Sequence, residues 1–125
     1  MDRYDPLEAP DAAEWLALDE SERIELVVQY HGRTRETLPN LRQHAAMHAI
    51  VENQIALRDE IPVGRTLARL EAEGLDRHEA VHAIGSVLAE YMYDAFKHGR
   101  PEGDPNERYW MALEKLTAKR WRRAR

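Results

Sequence analysis

Two histidine pairs constrain this chain more than any other feature: His44-Ala-Ala-Met-His48 and His78-Glu79-Ala80-Val81-His82. Residues four apart on an α-helix stand one above the other on the same face, so each pair presents two imidazoles in one direction. Four of the six histidines lie here, within a stretch from Asn40 to Gly99 that reads as helices packed side by side. Burying four imidazoles costs free energy unless each ring nitrogen finds a partner. One divalent ion would satisfy four nitrogens at once. The expectation is therefore a metal site in a helical bundle, with His44, His48, His78 and His82 as ligands. Zinc is the first candidate, and nickel, iron and copper also accept imidazole.

The rest of the composition narrows the chemistry. A chain of 125 residues with 43% apolar and 33% charged residues is one soluble domain with a single core. There is no cysteine, so disulfides, thiolate ligands and a thiol nucleophile are excluded, and any metal depends on nitrogen and oxygen. No apolar run is long enough to span a bilayer, and the acidic start Met-Asp-Arg-Tyr-Asp-Pro lacks the apolar core of a secretory signal. The expected compartment is the cytoplasm. Net charge is −5, yet residues 119–125 carry five positive charges and no negative one, which leaves −10 on the other 118 residues. Such a body is a poor general binder of nucleic acid. The basic tail reads as a solvated helix end, favoured by the helix dipole.

Periodicity and capping signals place the elements of an all-α bundle of five to six helices. Residues 1–10, with Pro6 and no period, read as an extended arm. Asp11 with Glu14 opens a short helix, and Asp19 with Glu22 opens a second over residues 20–31, ended by Gly32. Its apolar face is Ile24, Val27, Val28 and Tyr30. The third helix, residues 41–57, carries Leu41, His44, Met47, His48, Val51 and Ile55 on one broad face. Arg42 and Asn53 fall on its solvent side. Pro62 starts a fourth helix over 63–73, and Gly74-Leu75 reads as a left-handed glycine cap with its apolar contact. The fifth helix, 77–98, is capped by Asp76 with Glu79. Its stripe runs through Val81, Ile84, Leu88 and Met92 to Ala95 and Phe96, with Gly85 and Ala89 allowing close approach. After the loop Gly99-Arg100-Pro101-Glu102-Gly103, Asp104 caps a last helix that turns Tyr109, Ala112, Leu113 and Leu116 inward. The region around Trp121 is expected to fray. Residues 40–99 thus hold the core helices with both histidine pairs.

The ordered pattern from residue 38 to residue 109 resembles the uncharacterised bacterial family called domain of unknown function 1841. The resemblance rests on Asn40, Leu41, His44, His48, Gln54, Glu60-Ile61-Pro62, Asp76 and His78-Glu79-Ala80-Val81-His82, followed by Glu90, Tyr93, Gly99-Arg100-Pro101 and Tyr109. Two positions depart from it. Leu41 follows Asn40 without the family's proline, and Asn53 stands where a glutamate precedes the glutamine. The resemblance implies a shared helical fold and a shared site, and it brings no activity.

His78-Glu79-Ala80-Val81-His82 also matches the zinc-peptidase motif, in which the glutamate is general base. A peptidase places that motif within a buried helix and adds a third ligand downstream. Here it occupies a first helical turn, where Glu79 serves as capping partner of Asp76. Glu79 remains the candidate general base if a metal-bound water is available for hydrolysis, and Glu52 and Glu90 are candidate carboxylates for orienting the rings. Four histidines on one ion would instead close the site and staple two helices. The competing reading is a metal-free helical interaction or adaptor protein, with a homodimer as its assembly, whose histidines form a hydrogen-bonded polar core.

Overall fold

A computed structural model describes residues 1–34, 40–99 and 105–124. Seven α-helices run in order among the described residues: α1 (Ala12–Ala17), α2 (Glu20–Thr34), α3 (Leu41–Ala56), α4 (Val63–Ala72), α5 (Arg77–His98), α6 (Pro105–Lys115) and α7 (Ala118–Ala124). One 3₁₀ turn, Arg58–Glu60, links α3 to α4. The described residues contain no strand and no helix long and apolar enough to cross a membrane. The expected features at 35–39 and 100–104, including the Asp104 cap, lie outside the described residues.

The helix starts follow their capping residues. Asp11 accepts from Glu14 N at 3.0 Å and Asp76 from Glu79 N at 2.8 Å. Asp19 and Glu22 form a reciprocal pair, Asp19 accepting Glu22 N at 2.8 Å while Glu22 accepts Asp19 N at 3.3 Å. At the end of α4, Gly74 takes φ +106° and Leu75 N reaches Leu70 O at 3.2 Å. That closes the orphan carbonyls of the last turn.

α3 is the central element. Its Val51 joins a core with α4, α5, α6 and α7, built on Val63, Leu70, Ile84, Leu113 and Ala118. Its Ala45 and Ala49 join a second core with Tyr4, Trp15, Leu26 and Val27. At about 100° per residue, His44 and His48 project between these two faces. The histidines therefore stand at the seam of two apolar clusters.

Several expectations need correction. Gly32 does not end α2, which continues to Thr34 with the glycine inside its last turn. Asn53 is not on a solvent side: its Oδ1 accepts from Trp15 Nε1 at 2.7 Å and from Arg23 Nη1 at 3.2 Å, tying α1 and α2 to α3. The stripe on α5 stops being internal after Leu88, for Met92 is half exposed and Phe96 is 92% exposed. Trp121 does not fray. It lies in α7 and packs on the main core, while Arg122 Nη2 donates to Gly74 O at 3.2 Å. The arm at residues 1–10 is irregular as expected, but it is folded in: Tyr4 is wholly buried, its carbonyl accepts from Arg33 Nη2, and Pro6 O accepts from Arg77 Nη1.

Candidate metal centre

The two histidine pairs meet. His48 Nε2 on α3 and His82 Nε2 on α5 are 2.8 Å apart. The close approach depends on Gly85, where an added Cβ would come within 3.3 Å of Met47 Cγ. Neighbouring ring centroids lie 5.0 Å apart for His44–His48, 4.8 Å for His44–His82, 5.2 Å for His48–His78 and 4.3 Å for His78–His82. A fifth ring joins them, His31 from α2, with its centroid 4.8 Å from that of His44.

These rings form two triads that share His48. His31, His48 and His78 make one, and His44, His48 and His82 the other. Within each triad one nitrogen per residue lies within 4.8 Å of the others. The first triad is the more buried. The second borders a pocket of about 450 Å³, whose walls also include Met47, Val81 and Trp121.

Proton positions follow from what each partner is able to do. A carboxylate only accepts, so the Tyr4 hydroxyl donates to Glu52 Oε2 at 2.5 Å. The Tyr4 oxygen then accepts from His48 Nδ1–H at 3.0 Å. His48 is thereby fixed as the Nδ1–H tautomer, with the Nε2 lone pair turned to the other rings. Between His48 and His82, the donor must then be His82 Nε2–H. His31 is fixed in the same way, because its Nδ1 lies 2.8 Å from Val27 O and a carbonyl only accepts. Its Nε2 is buried with no hydrogen-bond partner among the described residues. A ring held at one nitrogen by an acceptor, with the other nitrogen bare, is the arrangement metal-bound histidines use.

Behind Tyr4 stands a buried ion pair. Arg77 clamps Glu52 with two bonds, Nη2 to Oε1 at 2.7 Å and Nη1 to Oε2 at 2.8 Å, and both side chains are at least nine-tenths buried. The guanidinium cancels the carboxylate charge, so the network orients His48 without adding net negative charge. Burial, then the Glu52 carboxylate, pushes the Tyr4 hydroxyl well above its ordinary range, so it stays a donor. Burial first, and then the surrounding imidazoles, hold His48 far below the usual imidazole range. The same causes push His82 down to about 3. His48 and His82 are therefore neutral rings.

The structure brings His44, His48, His78 and His82 together and connects Glu52 to them through Tyr4. It does not bring Glu79 or Glu90 into either triad. Glu79 sits half-buried in the first turn of α5, and Glu90 is exposed on that helix. Sequence reasoning missed His31, Tyr4 and Arg77. His31 carried a signal, since it continues the i, i+3, i+4, i+7 series from Ile24, Val27 and Val28. Tyr4 and Arg77 carried none, because their roles rest on contacts across 44 residues and 25 residues of chain.

Compared with known protein families, the chain matches the family described as Domain of unknown function (DUF1841) over residues 11–115. That span includes all five clustered histidines, Glu52 and Arg77, and leaves Tyr4 outside. Nothing matches among curated proteins or among solved structures.

Proposed function

The chain belongs to the family of domain of unknown function 1841, whose description names no activity, so function has to be read from its side chains, and we propose that it binds one divalent transition-metal ion through imidazoles centred on His48. The observation that carries this reading is the fixed tautomer of His48. Tyr4 occupies Nδ1 and leaves Nε2 as a lone pair among four other rings. His48 has one nitrogen to give, so the two triads compete for it and the stoichiometry is one ion per chain. We assign the ion to His44, His48 and His82, because that triad borders the pocket, through which a further ligand has access. Zinc–nitrogen bonds of about 2.0–2.1 Å put tetrahedral ligand nitrogens roughly 3.3 Å apart. Seating the ion thus opens the His48–His82 contact slightly, requires the His82 proton to move from Nε2 to Nδ1 so that Nε2 can coordinate, and draws in His44. His31 and His78 flank the ion as reserve ligands.

Three protein ligands with a reachable fourth position is the pattern of a reactive site, whereas four closed ligands mark a staple. The pocket wall carries no carboxylate among its described residues, so the proposal does not extend to hydrolysis with Glu79 as base. The test is a competition titration of tag-free protein with a chromophoric chelator. The expected result is one equivalent of zinc bound by the native chain, and affinity reduced about 100-fold or more by His48→Ala. Two equivalents, or an unchanged affinity in that variant, would overturn it.

A second reading is favoured by one contact. The 2.8 Å bond from His82 Nε2–H to His48 Nε2 satisfies both nitrogens with no ion present. On that reading the rings form a polar seam in a metal-free interaction protein. His82→Gln would then preserve folding, and no metal would be retained on purification.

A further inference from the structure

We infer that the pocket beside His44, His48 and His82 takes a small organic monoanion, with a carboxylate head on the ion and an apolar body against the wall. This rests on the metal-binding proposal and adds the class of ligand.

Charge is the first argument. Imidazoles bind an ion as neutral ligands, and the Glu52 carboxylate is already neutralised by Arg77. A divalent ion there would keep its full charge in a partly buried place, and an anion from outside is the group that relieves it. The described wall supplies no lysine or arginine. A phosphate would bring oxygens beyond those the ion holds, and a mostly apolar wall with no cation leaves them without partners. A single carboxylate fits.

Size and surface give the second argument. About 450 Å³ lies within the roughly 300–1,000 Å³ of small-molecule pockets. Met47, Val81, Gly85, Ala89 and Trp121 make most of the wall apolar, so acetate would leave most of it unfilled. Gly85 keeps the floor low, because any side chain there would press on Met47. A planar ring or short alkyl chain fills that space.

Neutral polar groups give the third argument. Asn40, Gln43 and Ser86 also line the pocket, and such side chains hydrogen-bond a carboxylate without adding charge.

The test uses the full chain loaded with cobalt(II), whose visible bands report its coordination. Benzoate, acetate, benzyl alcohol and inorganic phosphate are each titrated against those bands. Benzoate is expected to shift the bands saturably, about tenfold or more tighter than acetate because of its buried ring. Benzyl alcohol and phosphate are expected to shift them little. Ala89→Phe, at an exposed position of the wall, should weaken benzoate about tenfold or more, and its ligand-free cobalt bands check that the metal ligands are intact. Benzoate no tighter than acetate, phosphate tighter than either, or indifference to Ala89→Phe overturns the inference while leaving the metal proposal standing. Failure to load cobalt overturns both, and is read before any ligand is added.

Discussion

The Tyr4 hydroxyl accepts the Nδ1 proton of His48 at 3.0 Å across 44 residues of chain, and so turns the imidazole's only lone pair toward the other histidines. A buried arm thereby sets the chemistry of a residue in the central helix. The arm is held in turn by Arg33 at Tyr4 O and by Arg77 at Pro6 O.

Tyr4→Phe should therefore act on the ion as well as on the fold. The ring still fills its place, but His48 Nδ1 and Glu52 Oε2 each lose a partner. The expected loss is about 1–3 kcal/mol of stability, read by urea denaturation. Metal affinity should fall about 10–100-fold, read by chelator competition. Stability loss with unchanged affinity would confine Tyr4 to packing.

Arg77→Met leaves the Glu52 carboxylate buried with no counter-charge, and should cost about 3–5 kcal/mol. Adding Glu52→Leu removes the stranded charge and should recover much of that loss. Denaturant midpoints of the two single variants and the double variant check this. A double variant as unstable as the sum of the singles would contradict the argument.

The metal-free protein should lose stability as pH falls below about 6.5, the ordinary imidazole value. His82 is pushed down to about 3 by burial and by its neighbouring rings, and His48 shifts the same way. Between those values the unfolded chain binds protons that the folded chain refuses, so acid favours unfolding. The contribution is complete above about 6.5 and gone below the folded-state value. Thermal melts in chelator across pH 8 to 4 test it, and His82→Gln should flatten the slope.

Gly74→Ala should cost about 1 kcal/mol, because φ +106° strains a residue with a Cβ. The added carbon also meets Arg122 Nη2 at 3.3 Å, a contact that helps to hold α7. A melting temperature equal to that of the native chain would contradict this.

Much of this arrangement was readable in the sequence, and the division has a physical basis. Caps and glycines act locally, so Asp11, Asp19, Asp76 and Gly74 marked helix ends that the structure keeps. Four-residue spacing put His44 with His48 and His78 with His82, and small Gly85 signalled that their helices touch. What depends on contacts between distant segments carried no pattern. Asn53 looked like a solvent position until Trp15 and Arg23 were seen to converge on it. Gln54 entered only as a point of family resemblance and Tyr109 also as an inward-facing residue, and their pairing had no signal: Tyr109 donates to Gln54 Oε1 at 2.7 Å and joins α6 to α3. The outer half of α5 shows the converse. Its periodic stripe promised burial, and Phe96 stands in solvent.

The central claim is that one ion sits on imidazoles gathered around His48, and X-ray absorption of the zinc-loaded, tag-free chain tests it most directly. The account predicts one zinc per chain, with three imidazole nitrogens at about 2.0–2.1 Å plus a further light-atom ligand, and a lower imidazole count in His48→Ala. A shell of oxygen alone, or an imidazole count that His48→Ala leaves unchanged, would contradict it.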